Sequence, residues 1–216
     1  MKKILIISAH PDDEILGCGG TVLKHTFAGD EVHVCIVTTS DSRWSDEYRK
    51  LKVEEGVRVD QILNVEQRHY CNLPTTALNH LPSHRINDEI SKVVNAVNPD
   101  IVYTHFSSDV NQDHRVIFNA TLVCCRPIKK AISIRCFETL SSSEWGENTF
   151  TPNFFVTLSK QEIDLKIKAF LQYESEVKKY PHPRSPEGIE NLAKFRGNQI
   201  CKNFAEAFII VRQHWD

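Results

Sequence analysis

The chain has 216 residues, with 26 Lys and Arg against 28 Asp and Glu, a formal charge of −2, 41% hydrophobic residues and 25% charged ones. These values exclude disorder, collagen and coiled coil as the main class, and the length suits a single domain over residues 1–216 with a sizeable core. The near-neutral charge has no basic block and no apolar run approaches the roughly 20 residues of a membrane span, so neither nucleic acid nor membrane is expected as a partner.

The N-terminal run to Ile7 imitates a signal peptide briefly, but it is short and meets His10, Asp12, Asp13 and Glu14 at once. Lys3–Ser8 therefore reads as a strand buried on both faces. A helix is expected over about Glu14–Ala28, stopping at Gly29-Asp30, then a second buried strand over Glu31–Thr38. Asp46–Leu63 reads as a long polar helix, Gln67–Cys71 as a short third strand and Leu73–Pro82 as a loop. Ser83 suits the N-cap of a helix to Asn98, with Ile86, Ile90, Val93, Val94 and Val97 at helical spacing, and Pro99 ends it. Asp100–Thr104 is the fourth strand, and a helix from about Asp113 stops at Arg126-Pro127. Ile132–Phe137 is a fifth strand, Leu140–Pro152 a Ser-rich loop and Phe154–Leu158 a sixth strand. Ser159 and Glu162 form a capping box for a helix to about Val177. The loop Lys178–Arg184 leads to a helix opened by Ser185-Pro186-Glu187, and Ala205–Val211 closes the chain as a strand.

Repeated strand–helix units predict an α/β fold: a Rossmann-like, mostly parallel sheet with helices on both faces. In such sheets ligands bind beyond the carboxyl ends of the strands, where strand order reverses, and with the usual order the first and fourth strands flank that point. Gly17-Cys18-Gly19-Gly20 lacks the spacing of a nucleotide loop and follows an acidic cluster, so close helix–sheet packing is its better explanation. The seven scattered cysteines form no C-x-x-C pair, which suits reduced thiols and a cytoplasmic protein.

Two loops meet at the expected crevice: Ala9-His10-Pro11-Asp12-Asp13-Glu14 after the first strand and Asp109-Val110-Asn111-Gln112-Asp113-His114-Arg115 after the fourth. His10 and Asp13 are spaced to face one point, and His114 approaches from the neighbouring strand. One carboxylate and two imidazoles make a three-ligand site with an open position, the pattern of catalytic zinc. Asp12 then suits a general base beside the bound water. The competing explanation is that Asp12 or Asp13 simply caps the helix. Asp113 can orient a ligand imidazole or cap its own helix, Asn111 can donate to an oxyanion or form a turn, and His105 is a rival ligand better suited to a supporting role. Arg43, His182 and Arg184 are candidates for substrate contacts, the arginines suiting a phosphate-bearing acceptor such as a nucleotide sugar.

His10-Pro11-Asp12-Asp13-Glu14 after an apolar strand, with the later Asp113-His114, resembles the PIG-L/LmbE family of zinc-dependent N-deacetylases. Tyr180-Pro181-His182-Pro183-Arg184-Ser185-Pro186-Glu187, Arg196-Gly197 and Ala205-Glu206-Ala207-Phe208 resemble the branch with bacillithiol-pathway and bacterial sugar deacetylases. The resemblance spans residue 4 to about residue 212. It implies a Rossmann-like fold, hydrolysis of an acetamide on an amino sugar, one Zn2+ held by His10, Asp13 and His114, Asp12 as base, and a homo-oligomer. The family often has an oxyanion-stabilising His where this chain has Asn111. The rival expectations are a metal-dependent hydrolase of another ester or phosphate ester, and a non-catalytic sugar- or nucleotide-binding module.

Overall fold

The computed structural model describes residues 1–40, 45–128 and 130–214. The unbroken apolar run at the start has a direct cause. In β1 (Lys3–Ser8), Ile4 and Ile6 enter the core on one side of a sheet while Leu5 and Ile7 enter the core on the other. The strands that follow are β2 (Glu31–Ser40), β3 (Gln67–Pro74), β4 (Ile101–His105), β5 (Ser133–Phe137), β6 (Phe154–Leu158) and β7 (Phe204–Arg212). They form one seven-stranded sheet in the order β3-β2-β1-β4-β5-β7-β6. Pairing is parallel from β3 through β5, and β7 runs antiparallel to both of its neighbours. The α/β, mostly parallel expectation holds, and the order reverses between β1 and β4, which places their carboxyl ends side by side.

The helices are α1 (Asp13–Phe27), α2 (Asp46–Leu63), α3 (Ser83–Val97), α4 (Gln112–Cys124), α5 (Lys160–Phe170) and α6 (Pro186–Asn198). No helix among the described residues is long and apolar enough to cross a membrane.

Four expectations need correction. Ser83 is the first residue of α3 rather than its N-cap, a position taken by Pro82, and no side chain caps this helix. The third strand continues past Cys71 to Pro74. The helix capped by Ser159 and Glu162 stops at Phe170 rather than Val177. The chain turns there so that Tyr173 becomes fully buried and donates its hydroxyl to Glu14 at 2.7 Å. The first helix is broken at Cys18 (φ −149°, ψ 21°). A Cβ on Gly17 would lie 2.2 Å from the Phe137 ring, and one on Gly20 would lie 2.4 Å from Leu158, so the helix reaches the sheet only with glycine at these positions. At the break, Lys166 Nζ donates to the carbonyl of Leu16 at 2.9 Å and to Glu206 at 2.6 Å. Glu206 in turn accepts from the amides of Gly20 (2.9 Å) and Thr21 (2.6 Å). The backbone groups freed by the break are thus satisfied from β7 and α5.

Candidate active site

The chain leaves β1 through Ala9, His10 and Pro11 and enters α1 at Asp12, whose φ of 118° is rare for a residue with a side chain. Asp12 occupies the N-cap position, yet its side chain makes no capping hydrogen bond, so the capping explanation for this carboxylate fails. The unusual turn is held by Glu14. Its Oε2 accepts from the Asp12 amide at 3.0 Å, while Oε1 accepts from Arg68 at 2.8 Å and from Tyr173.

β1 and β4 bring His10, Asp13 and His114 together, with one potential ligand atom of each within 4.8 Å of the others. Asp13 Oδ2 lies 3.1 Å from His10 Nδ1 and 3.2 Å from His114 Nε2. Each imidazole meets a second carboxylate through its far nitrogen. Asp113 Oδ2 is 3.1 Å from His10 Nε2, and Asp109 Oδ1 is 3.2 Å from His114 Nδ1. Both outer carboxylates are anchored. Asp113 accepts from the amides of Thr76 (2.6 Å) and Leu78 (3.3 Å). Asp109 accepts from Ser142 Oγ, from Ser143 Oγ at 2.6 Å and from the Asn111 amide at 2.8 Å.

His105 is excluded as a ligand through Nε2. That atom accepts from the Ala9 amide at 2.8 Å, Nδ1 faces Thr139 Oγ1 at 3.5 Å, and the ring stacks on His114 at 3.8 Å between centroids. It braces His114 instead.

The electrostatics separate these groups. Burial would lower the His10 pKa, but hydrogen bonds and charge from Asp113 and Asp13 outweigh it and raise the pKa to about 10. Burial also opposes the charge on His114, yet Asp13 and Asp109 hold its pKa above the ordinary value. Burial first, then the charge of His114, keep the His105 pKa well below the usual imidazole value. For Asp13, burial is overcome by the charges of His114 and His105 and by the His10 hydrogen bond, which hold it well below the carboxylate range. Asp12 goes the other way, raised by burial and then by Asp13, with Arg184 pulling it down.

The donor set fits a metal ion. Asp13 Oδ1 and both ring nitrogens of His114 are buried without a hydrogen bond of good geometry, and buried polar atoms left in that state are costly. Two imidazoles and a carboxylate, with carboxylates behind both rings, are suitable ligands for a divalent transition metal. His10, Asp13 and His114 could hold such an ion.

The other expected site residues divide. Arg184 reaches Asp12: its Nη1 donates to Asp12 Oδ2 at 3.0 Å and to Glu176 at 3.4 Å, and its Nε donates to Ser141 Oγ at 2.7 Å. His182 is exposed and accepts from the Arg184 amide at 3.1 Å, shaping the turn that delivers Arg184. Asn111 is the N-cap of α4, its Oδ1 accepting from the Asp113 amide at 2.9 Å. Asp113 follows as a first-turn residue that contacts His10, rather than as the cap of its own helix. Arg43 lies outside the described residues. Sequence reasoning gave no separate role to Asp109 or Glu14. The available signal for Asp109 was the Ser-rich loop, whose Ser142 and Ser143 need a buried acceptor.

The profile of the PIG-L family, described as GlcNAc-PI de-N-acetylase, matches residues 5–125 and so includes both loops of the site. An uncharacterized deacetylase, YaiS of Escherichia coli K12, is 30% identical over 182 residues, covering 81% of this chain and 91% of its own. Diacetylchitobiose deacetylase of Thermococcus kodakarensis is 26% identical over 226 residues, covering 98% of this chain and 84% of its own. The fold is also that of GalB, the 4-carboxy-2-hydroxymuconate hydratase of Pseudomonas putida KT2440, with a TM-score of 0.79 at 18% identity over 100% of this chain and 98% of that one. Likeness at that level is of fold alone, so the reaction has to be argued from the site. With the profile covering more than half of its length and a relative at 30% identity, this chain belongs to the PIG-L (GlcNAc-PI de-N-acetylase) family.

Proposed function

We propose that the protein hydrolyses the N-acetyl group of an amino sugar, releasing acetate and a free amine, with one zinc ion held by His10, Asp13 and His114. The observation that carries this reading is the pairing of an under-satisfied His–Asp–His set with Asp12, a buried carboxylate next to it that is not used as a helix cap. The deacetylase names of two relatives support it. Bound there, a divalent ion polarises an amide carbonyl and makes water more acidic.

The chain supplies the rest. Asp12 takes the proton of the attacking water and returns it to the leaving amine. Arg184 fixes the Asp12 carboxylate from outside while Glu14 fixes its backbone. Asp113 and Asp109 set the orientation of His10 and His114 through their far nitrogens. With Oδ1 of Asn111 committed to the Asp113 amide, its Nδ2 is left to donate to the developing oxyanion. Seven free cysteines suit a cytoplasmic setting.

The test is acetate release from N-acetylated sugars by metal-loaded and chelated protein. Acetate that appears only with metal supports the reading. Release of phosphate from phosphate esters without acetate from any amide replaces it with the phosphoesterase alternative.

A further inference from the structure

We infer that the sugar is uncharged around the amide that is cut, and that phosphate-bearing and nucleotide-linked acetamido sugars are poor substrates. This rests on the deacetylase reading above. An arginine over a hydrolytic site ordinarily invites an anion, but here its charge is already matched. Arg184 faces Asp12 at 3.0 Å and Glu176 at 3.4 Å. Its third partner, Ser141, donates its own amide to Glu144 at 2.7 Å, which places another carboxylate beside the same guanidinium. Two carboxyl groups therefore pair directly with this one cation and a third lies behind Ser141.

Among the described residues, the neighbouring Lys52 and Arg115 do not change the balance. Lys52 reaches Glu176 at 3.3 Å but is itself matched by Glu55 at 3.0 Å. Arg115, on the β4–α4 loop, turns its guanidinium onto the carbonyl oxygens of Asp109 and Val110. On the metal side, Asp13, Asp109 and Asp113 surround two imidazoles and offset a divalent ion by themselves. Counting Arg184, Arg115 and a divalent ion together, the described carboxyl groups Asp12, Asp13, Asp109, Asp113, Glu144 and Glu176 remain in excess.

This excess of negative charge repels a phosphate, and at the rim Glu144 and Glu176, the two less buried carboxylates, offer acceptors to the hydroxyl donors that a neutral sugar presents. It also favours the positive charge that the product amine acquires. Arg184 thus belongs to Asp12, as a positioning residue, and not to a substrate anion.

The experiment compares kcat/KM for acetate release from N-acetylglucosamine and its β-1,4-linked dimer with that from N-acetylglucosamine 1-phosphate and UDP-N-acetylglucosamine, at low and high salt. The neutral sugars should be favoured by ~10-fold or more at low salt, and the gap should narrow as salt screens the rim. Arg184→Met should lower kcat on neutral and phosphorylated sugars by similar factors while KM moves little. Preference for the phosphorylated sugars overturns the inference and leaves the deacetylase reading intact, as does a loss in Arg184→Met confined to those sugars. No acetate from any of the four, with metal bound, overturns both.

Discussion

Glu14 and Glu206, which hold the first helix, and Asp13, Asp109 and Asp113, which gather around two imidazoles, carry the same functional group and are all buried. Their partners differ. Glu14 is matched by the Arg68 guanidinium, a tyrosine hydroxyl and an amide, and Glu206 by the Lys166 ammonium and two amides. Asp13 faces imidazoles and keeps one oxygen with no hydrogen bond. A carboxylate opposite arginine or lysine is neutralised within the chain, because those cations do not give up their protons near neutrality. A carboxylate opposite imidazoles is neutralised only while the rings stay protonated, and a metal ion replaces those protons. The first set supports the helix that carries Asp13, and the second is left able to exchange protons for an ion.

Substitutions can break this contrast. The largest effect is expected for Asp13→Ala and His114→Ala. Each should lose metal and lower turnover by ~10³-fold or more, the equivalent of several kcal/mol of transition-state stabilisation. Metal analysis of the purified variants checks this, and full occupancy in both would assign the ion elsewhere. Asp12→Asn keeps size and removes the basic oxygen, so kcat should fall by ~10²–10⁴ with metal content unchanged.

On the matched side, Lys166→Met leaves Glu206 buried and uncompensated and should cost about 3–5 kcal/mol in denaturant unfolding. Adding Glu206→Gln should recover part of that loss. The same variants should shift metal affinity far less than Asp13→Ala does, and an equal shift would show that the two sets act as one.

Proton linkage sharpens the comparison. His10 and His114 have raised pKa values in the metal-free protein, so their protons must leave as metal binds. Affinity should therefore tighten as pH rises toward about 10, the value to which His10 is raised, by up to roughly tenfold per unit for each proton released. Chelator competition across that range measures it, and a flat profile contradicts the ring assignments. The smallest effect on stability is Asn111→Ala, which should cost ~1 kcal/mol through loss of the α4 cap, with kcat falling by ~10²-fold if Nδ2 serves the oxyanion. Unchanged kcat in a folded Asn111→Ala protein would leave the residue only its capping role.

The parts of the fold legible in the sequence are those whose cause is local. β1 was readable because both faces of Ile4–Ile7 are buried, and the meeting of His10 with His114 because strand order fixes which loops adjoin. The parts that were not legible depend on distant partners. Nothing near Cys18 indicates that Lys166 and Glu206 will complete a broken helix, and nothing near Tyr173 indicates that Glu14 awaits its hydroxyl. The loop Lys178–Arg184 supplied Arg184 as a candidate for substrate contact, but its contact with Asp12 was not legible. A sequence shows that an arginine is present without showing which carboxylate has already claimed it.

The break in α1 also has a consequence for the order of assembly. Glu206 lies 186 residues after the Gly20 amide it accepts from, on the last strand of the sheet. Contacts of such separation form only after the loops between them have closed. A growing chain carries His10, Asp12 and Asp13 from its first moments, but the helix behind them is fixed only once β7 docks. A metal site built on these residues would therefore be completed only late in folding. A chain shortened before Phe204 would retain every residue of the site while lacking the carboxylate that holds its first helix in place.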